Sequence, residues 1–403
     1  MNKKSLKKYK YIIIICGIVL FIELGFILYS IFFKRVESLY FDGINRLEVN
    51  NNYYVTVGSN NDNDNFYEKA KVTRYNNKKE KVFEKLYNVG YNSAFFGVVL
   101  DEDNIVAVGS YEKDESDHKN KIRRALIVKY DSIGEVIFEN DFKILDNSKF
   151  TSITKVEDGY LVTGQTIYKN TKVGSKSGGA LLLKYDNSGK LLWYKTYGNS
   201  KSAIFNDLLV IDDHIYTVGM DKDYLGIICK YDLNGNFITY NDYKYTDEIG
   251  FNGIVSIDNK IFISGANKEN NKSINAMIVE YDLNCNYKKQ VIYKDEDIAR
   301  YNKIVKDKDN NLIVIGIKML DKKKKVKVKT AGNINYNGIV GKYNSNLKEI
   351  SVVDYGDDRD DYFTDIKYID NEYLVVGYSS YEDGSYLSKF IRYSDALKVL
   401  GVE

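Results

Sequence analysis

A glycine that returns seven times limits what this chain can fold into. It closes a short apolar run at Gly58, Gly109, Gly164, Gly219, Gly265, Gly316 and Gly377, at intervals of 51, 55, 55, 46, 51 and 61 residues. A second run follows each glycine and ends on a tyrosine: Tyr75, Tyr130, Tyr185, Tyr231, Tyr281, Tyr343 and Tyr393. The fullest copy, Gly178 to Gly198, reads as an apolar strand, Lys184-Tyr185-Asp186, a turn to Gly189, then Leu191-Leu192-Trp193-Tyr194. A period near 50 residues made of short strands is the mark of a propeller blade. The expected fold class is all-β, a seven-bladed β-propeller of four-stranded antiparallel blades over residues 40–403.

Each unit divides into strands A to D. Strand A opens on an aromatic: Phe41-Asp42-Gly43-Ile44, Phe96-Gly97-Val98-Val99, Phe150-Thr151-Ser152-Ile153, Phe205-Asn206-Asp207-Leu208, Phe251-Asn252-Gly253-Ile254, Tyr301-Asn302-Lys303-Ile304 and Phe363-Thr364-Asp365-Ile366. Strand B ends at the recurring glycine and strand C at the tyrosine. The C–D turn is Asp-x-x-Gly at Asp131, Asp186 and Asp232, where Asp accepts backbone N–H bonds and Gly adopts positive φ. Lys79, Cys285, Leu347 and Leu397 replace that glycine elsewhere, so those hairpins are expected to be looser. The first unit starts at strand A and the last ends at strand D. Blade 7 is therefore expected to meet blade 1 by packing alone, with no shared strand.

The repeat resembles bacterial seven-bladed propeller repeats of the SBBP kind, through its apolar-Val-x-Gly strand and its Lys-Tyr-Asp-x-x-Gly hairpin. Asp186 to Trp193 is also similar to the blade motif of quinoprotein propellers. Trp193 is the only tryptophan, so the interlocking tryptophan ring of that group is missing, as are its adjacent cysteines and cofactor-facing residues. The resemblance implies a fold and no cofactor.

Ahead of the repeats, Tyr11 to Phe33 is apolar apart from Glu23. At 1.5 Å per residue this run is long enough for a hydrocarbon core of ~30 Å. Lys3, Lys4, Lys7, Lys8 and Lys10 precede it and Lys34 and Arg35 follow, an excess that keeps the N-terminus in the cytoplasm. The run exceeds a signal-peptide core and lacks a small-x-small cleavage site. The expected organisation is a cytoplasmic basic tail (1–10), a transmembrane signal anchor (11–33), a linker (34–39) and a propeller ectodomain (40–403). This makes a single-pass cell-membrane protein with its C-terminal domain outside. The proline-free composition, rich in Lys, Asn and Tyr, resembles that of a low-GC Gram-positive. Glu23 is either a protonated glutamate tolerated on a lone helix or an intramembrane contact to a partner.

Charge narrows the function. Net charge is +2, but residues 37–403 hold 51 basic against 55 acidic residues, which argues against nucleic acid. Cys229 and Cys285 stand at different places in neighbouring repeats, so no disulfide is expected, and no Cys/His spacing suits zinc. Asn61-Asp62-Asn63-Asp64-Asn65 has alternating oxygen ligands but reads as a solvent loop. His118 and His214 belong to opposite faces, and no Gly-x-Ser-x-Gly elbow exists. No catalytic, cofactor or metal residue is assigned.

Variation gathers in the B–C and D–A connections, where binding loops on a rigid scaffold lie. The longest holds Lys322, Lys323, Lys324, Lys325, Lys327 and Lys329. It is either a cationic prong for an anionic polymer, phospholipid head groups or an acidic partner, or a solvated hairpin answered by the Asp357–Asp361 loop. About six residues separate Arg35 from strand A of blade 1, which places the variable face toward the membrane. The leading expectation is a non-enzymatic binding or assembly scaffold for an envelope protein or polymer. The alternative is a polysaccharide hydrolase or lyase with carboxylates at the axial mouth. A third reading makes the propeller a sensor signalling through the helix and Glu23.

Overall fold

The computed structural model describes residues 42–402 except 51, 62–66, 88, 114–121, 146, 170–175, 199, 201–202, 244–247, 270–272, 294–297, 320–335, 357–358 and 381–384. Segment 11–33 with Glu23, the lysines Lys322 to Lys329, His118 and the Asp62–Asn65 stretch lie outside the described residues. Among the described residues all regular structure is β. Twenty-eight strands run from β1 (Asp42–Val49) to β28 (Val399–Val402), in seven four-stranded antiparallel sheets whose members are consecutive in sequence. Blade 3 shows the plan: A is Ser148–Val156, B Gly159–Lys169, C Lys176–Asp186 and D Leu191–Tyr197.

Burial sorts the strands. B and C are nearly continuous apolar runs, such as Ile313, Val314 and Ile315 or Leu181, Leu182 and Leu183, buried on both faces by neighbouring blades. D alternates exposed and half-buried residues on the outer rim, as in Leu191–Tyr197. The A strands are innermost, and each touches the next around the ring, the seventh returning to the first.

All seven A strands carry a β-bulge at the same place. In blade 4 Phe205 pairs with Gly219 and Asp207 with Val218, leaving Asn206 unpaired between them. The equivalent unpaired residues are Asn45, Phe96, Thr151, Asn252, Asn302 and Thr364. This explains the recurring glycine. The bulge drives the preceding carbonyl of strand A into strand B, and a Cβ on Gly316 would collide with the oxygen of Arg300, one on Gly377 with that of Tyr362. The ladder also corrects the expected register in two blades. Ile44, not Phe41, stands opposite Gly58, and Phe95, not Phe96, opposite Gly109. The first copies are therefore Ile44-Asn45-Arg46-Leu47 and Phe95-Phe96-Gly97-Val98.

The C–D turns are uniform, against the expectation of looser hairpins. Asp186 Oδ1 accepts the N–H groups of Ser188 and Lys190, both at 2.9 Å, and Asn344 Oδ1 does the same for Asn346 (2.9 Å) and Lys348 (3.0 Å). Lys79, Cys285, Leu347 and Leu397 take positive φ of 56° to 65°, as Gly134, Gly189 and Gly235 do. A left-handed non-glycine residue costs about 1–2 kcal/mol, whereas burying a leucine contributes about 1.5–3 kcal/mol, and Cys285, Leu347 and Leu397 are buried. The glycine copies instead leave room for a ring on strand D of the preceding blade: Phe83 at Gly134, Phe138 at Gly189 and Trp193 at Gly235. Where the turn is bulky, that D position holds Thr239, Lys289 or Ser351. One large group fills each of these joints, from one side or the other.

The joint between blades 7 and 1 shares no strand, yet it is more than packing. Ile44, Leu47, Leu374 and Val376 form its small core. Asp365 Oδ2 accepts the N–H of Leu47 at 2.9 Å, Thr364 Oγ1 donates to the carbonyl of Ile44 at 2.6 Å, and Lys367 pairs with Glu48 at 2.5 Å. Polar links replace part of the missing apolar area.

Candidate functional site: the axial mouth

The unpaired bulge residues face the axis, and their chemistry recurs. Asn45 Nδ2 donates to the carbonyl of Phe95 (2.8 Å), Asn206 to Phe251 (2.8 Å), Asn252 to Tyr301 (2.9 Å) and Asn302 to Phe363 (2.8 Å). Thr151 and Thr364 do the same with Oγ1 toward Phe205 and Ile44. Each blade thus ties itself to the backbone of the next. The circle has one break: Phe96 of blade 2 has no donor to offer Phe150. Each asparagine uses one N–H in this way and keeps a second N–H and an oxygen for the axis.

One residue deeper along strand A the ring carries Arg46, Gly97, Ser152, Asp207, Gly253, Lys303 and Asp365. Asp207 is fully buried, pairs with Lys303 of blade 6 at 2.6 Å, and accepts Ser152 Oγ at 2.8 Å. Burial works to raise its pKa, but Lys303 foremost, with Arg46, holds it below the usual carboxylate range. Asp365 accepts the N–H groups of Leu47 and Ile366. Arg46 donates to the carbonyls of Asn45 and Thr364. These groups plug the channel.

Above the plug lies a cavity of about 250 Å³, lined by Asn45, Arg46, Phe96, Lys149, Thr151, Asn206, Asn252, Arg300, Asn302 and Thr364. Lys149 and Arg300 occupy the same register position, just before the aromatic, in blades 3 and 6. Burial foremost, then the charge of Arg123, pushes the Lys149 pKa down. The lining has amides, hydroxyls, cations and one aromatic face, and none of its residues is a carboxylate. The acids of an axial hydrolase are therefore not at this mouth among the described residues. Asp207 and Asp365, the nearest along the strands, are engaged in the plug.

The cavity opens on the B–C and D–A face, the face that also bounds the 320–335 connection through Met319 and Tyr336. His214 begins strand B of blade 4, at the opposite face. Cys229 and Cys285 are buried free thiols. Asp131, Asp186, Asp232 and Asp282 are turn formers, as their spacing indicated. The lysines of the Lys-Tyr-Asp motif sit in the blade joints: Lys129 pairs with Asp101 at 2.6 Å, and Lys342 with Asp395 at 2.8 Å and Asp307 at 3.1 Å. A second cavity of about 250 Å³ lies at the closing joint, lined by Tyr54, Tyr75, Lys79, Leu374, Ser388 and Phe390. Here neither side supplies a large apolar group, because Lys79 is the turn residue and Gly401 takes the D position.

Thr151, Asn206, Asn252, Asn302 and Thr364 were legible as a repeat, one after each aromatic, whereas Asn45 follows Ile44 and was not; their common task shows only in the structure. Lys149 and Arg300 carried no signal that sets them apart from other surface cations.

No family model matches the chain, and no curated protein matches it. Among solved structures, a puromycin hydrolase S511A mutant complexed with PGG is similar at a TM-score of 0.55 and 7% identity, over 89% of this chain and 53% of that one. This chain thus spans about half of that protein. The β-propeller domain of the Trilobed protease from Pyrococcus furiosus, described as having an open velcro topology, is similar at a TM-score of 0.47 and 12% identity, over 88% and 93% of the two chains. Sqt1 from Chaetomium thermophilum is similar at 0.47 and 10% identity, over 87% and 97%. At these identities the likeness is one of fold.

Proposed function

We propose that this propeller is a non-enzymatic binding or assembly scaffold, anchored in the membrane by residues 11–33, that presents its mouth face to an envelope protein or polymer outside the cell. One observation carries the reading. The axial cavity is lined by preorganised amides, hydroxyls and cations, and among the described residues its lining holds no carboxylate or nucleophile–base pair. That is a surface for holding a ligand rather than cutting one. The apolar N-terminal segment and its flanking lysines support the anchor, and the blade motifs support kinship with SBBP-type repeats. The sequence between Met319 and Tyr336 adds six lysines, Lys322, Lys323, Lys324, Lys325, Lys327 and Lys329, which an anionic partner would favour.

The test is capture by the full chain in detergent from solubilised envelope protein and wall-polymer fractions, at low and high salt. A second bait carries Gln at the six lysines Lys322, Lys323, Lys324, Lys325, Lys327 and Lys329. A discrete partner retained at low salt supports the scaffold. Glycan fragments released into the flow-through, with nothing retained, would replace it with an enzyme.

A further inference from the structure

We propose that the axial mouth is a monosaccharide-sized site for an acidic sugar unit, its carboxylate or phosphate held between Lys149 and Arg300. This deepens the scaffold reading and rests on it.

Charge is distributed in a way that favours an anion at the mouth and nowhere deeper. Inside the channel Lys303 pairs with Asp207 and Lys367 with Glu48, while Arg46 also acts on Asp207 and Asp365 on Lys367 through their charges. Lys149 and Arg300 stand outside that balance. They are three blades apart in a ring of seven, hence on nearly opposite sides of one cavity. Among the described residues neither side chain makes an ion pair or a hydrogen bond. Lys149 is half-buried and Arg300 is exposed at the rim. A half-buried cation without a counter-ion is unfavourable, and an anion held between the two would remove that penalty at Lys149 while meeting the guanidinium of Arg300. Arginine and lysine are the common ligands of carboxylates and phosphates.

The rest of the lining suits a hydroxyl-rich ring. The amides of Asn45, Asn206, Asn252 and Asn302 are fixed by their bonds to the next blade, so their spare N–H groups and oxygens meet hydroxyls without ordering cost. Phe96, where the polar circle breaks, offers a face to C–H groups. Drug-sized ligands occupy roughly 300–1,000 Å³, so about 250 Å³ fits one sugar unit.

Calorimetric titration of the full chain in detergent tests this with glucuronate and glucose 1-phosphate as probes and glucose as the neutral comparison. At least one acidic probe should bind saturably, at least tenfold tighter than glucose, and more weakly as salt rises. Lys149→Gln and Arg300→Gln should each weaken it tenfold or more, while Lys190→Gln, in a C–D turn on the other face, should leave it unchanged. Lys149→Gln should melt no lower than the parent without ligand, because it removes an unpaired charge. If it melts lower, Lys149→Arg keeps the charge and should retain binding. The absence of saturable binding by both acidic probes, or binding that survives both Gln substitutions, overturns the site. Either result with a partner still captured from the envelope would sink this inference alone and leave the scaffold standing.

Discussion

Thr364 in the last blade donates a 2.6 Å hydrogen bond to the carbonyl of Ile44 in the first, across 320 residues of chain. It is one of six such links around the axis, and it ties the closing joint in the same way as the five others. Thr364→Val keeps the shape and removes the donor, leaving a carbonyl unpaired at the joint. The loss should be about 1 kcal/mol, read as a lower urea midpoint with an unchanged slope.

The glycine opposite each bulge should be far less replaceable than a strand glycine with room for a side chain, such as Gly401. Gly316→Ala drives a Cβ into the Arg300 carbonyl, and relieving it means undoing the bulge, at about 3 kcal/mol or more. Gly401→Ala meets only the end of the Arg392 side chain, at 3.4 Å, and should be nearly neutral. Equal losses for the two in urea melts would contradict the role given to the bulge.

The buried Asp207–Lys303 pair predicts an acid-labile ring. A carboxylate whose pKa is lower folded than unfolded contributes stability that is present above about pH 4 and is lost as pH falls through the folded value. Asp207 is such a group, and Asp101, Asp307 and Asp395 act in the same direction. Stability measured against pH should therefore drop below about pH 4. Asp207→Asn should flatten part of that drop while costing about 3–5 kcal/mol at neutral pH, because Lys303 is left unpaired. Changing Lys303→Met in the same chain should recover much of the loss.

The two described cysteines should be inert in the native state. Burial pushes the Cys285 thiol up to about 12 and that of Cys229 well above its ordinary value. Mass mapping after iodoacetamide at pH 8 should find both unmodified in the folded protein and alkylated in urea.

The cavity at the closing joint should accept a larger turn residue. Leu347 and Leu397 take positive φ at the same place in blades 6 and 7, with their side chains buried. Lys79→Leu should fill space beside Tyr75 and Phe390, which stack edge-on at 5.3 Å, and raise the urea midpoint by the equivalent of about 1 kcal/mol. A lower midpoint would show that Lys79 already holds the joint.

The blade count was legible because steric demand, not propensity, keeps the glycine: Gly58 and Gly316 face carbonyl oxygens and no side chain fits. The turn aspartates were legible for a similar reason, since two N–H groups need the same oxygen. Register in the first two blades was not. Ile44 takes the aromatic place in blade 1, and in blade 2 Phe95 and Phe96 both offer an aromatic, so a reading keyed to an aromatic lands on Phe41 and Phe96 and slips. Uniform hairpins were missed because apolar burial of Cys285, Leu347 and Leu397 offsets a backbone penalty that sequence shows without its compensation. The mouth was hidden for a geometric reason. Its residues come one or two per blade, about 50 positions apart, and only ring closure brings them together.

That closure is the premise of the account, because Asn45 and Arg46 line the mouth from one side of the joint and Thr364 from the other. Native-state hydrogen exchange on peptides covering Asp42–Val49 and Asp361–Ile369 tests it directly. The Leu47 amide, bonded to Asp365, and its strand neighbours should be protected as strongly as those of Ile204–Ile211 in blade 4. Exchange of the two closing strands within seconds, with blade 4 still protected, would mean a ring that opens at blades 7 and 1 and a mouth that is not preformed.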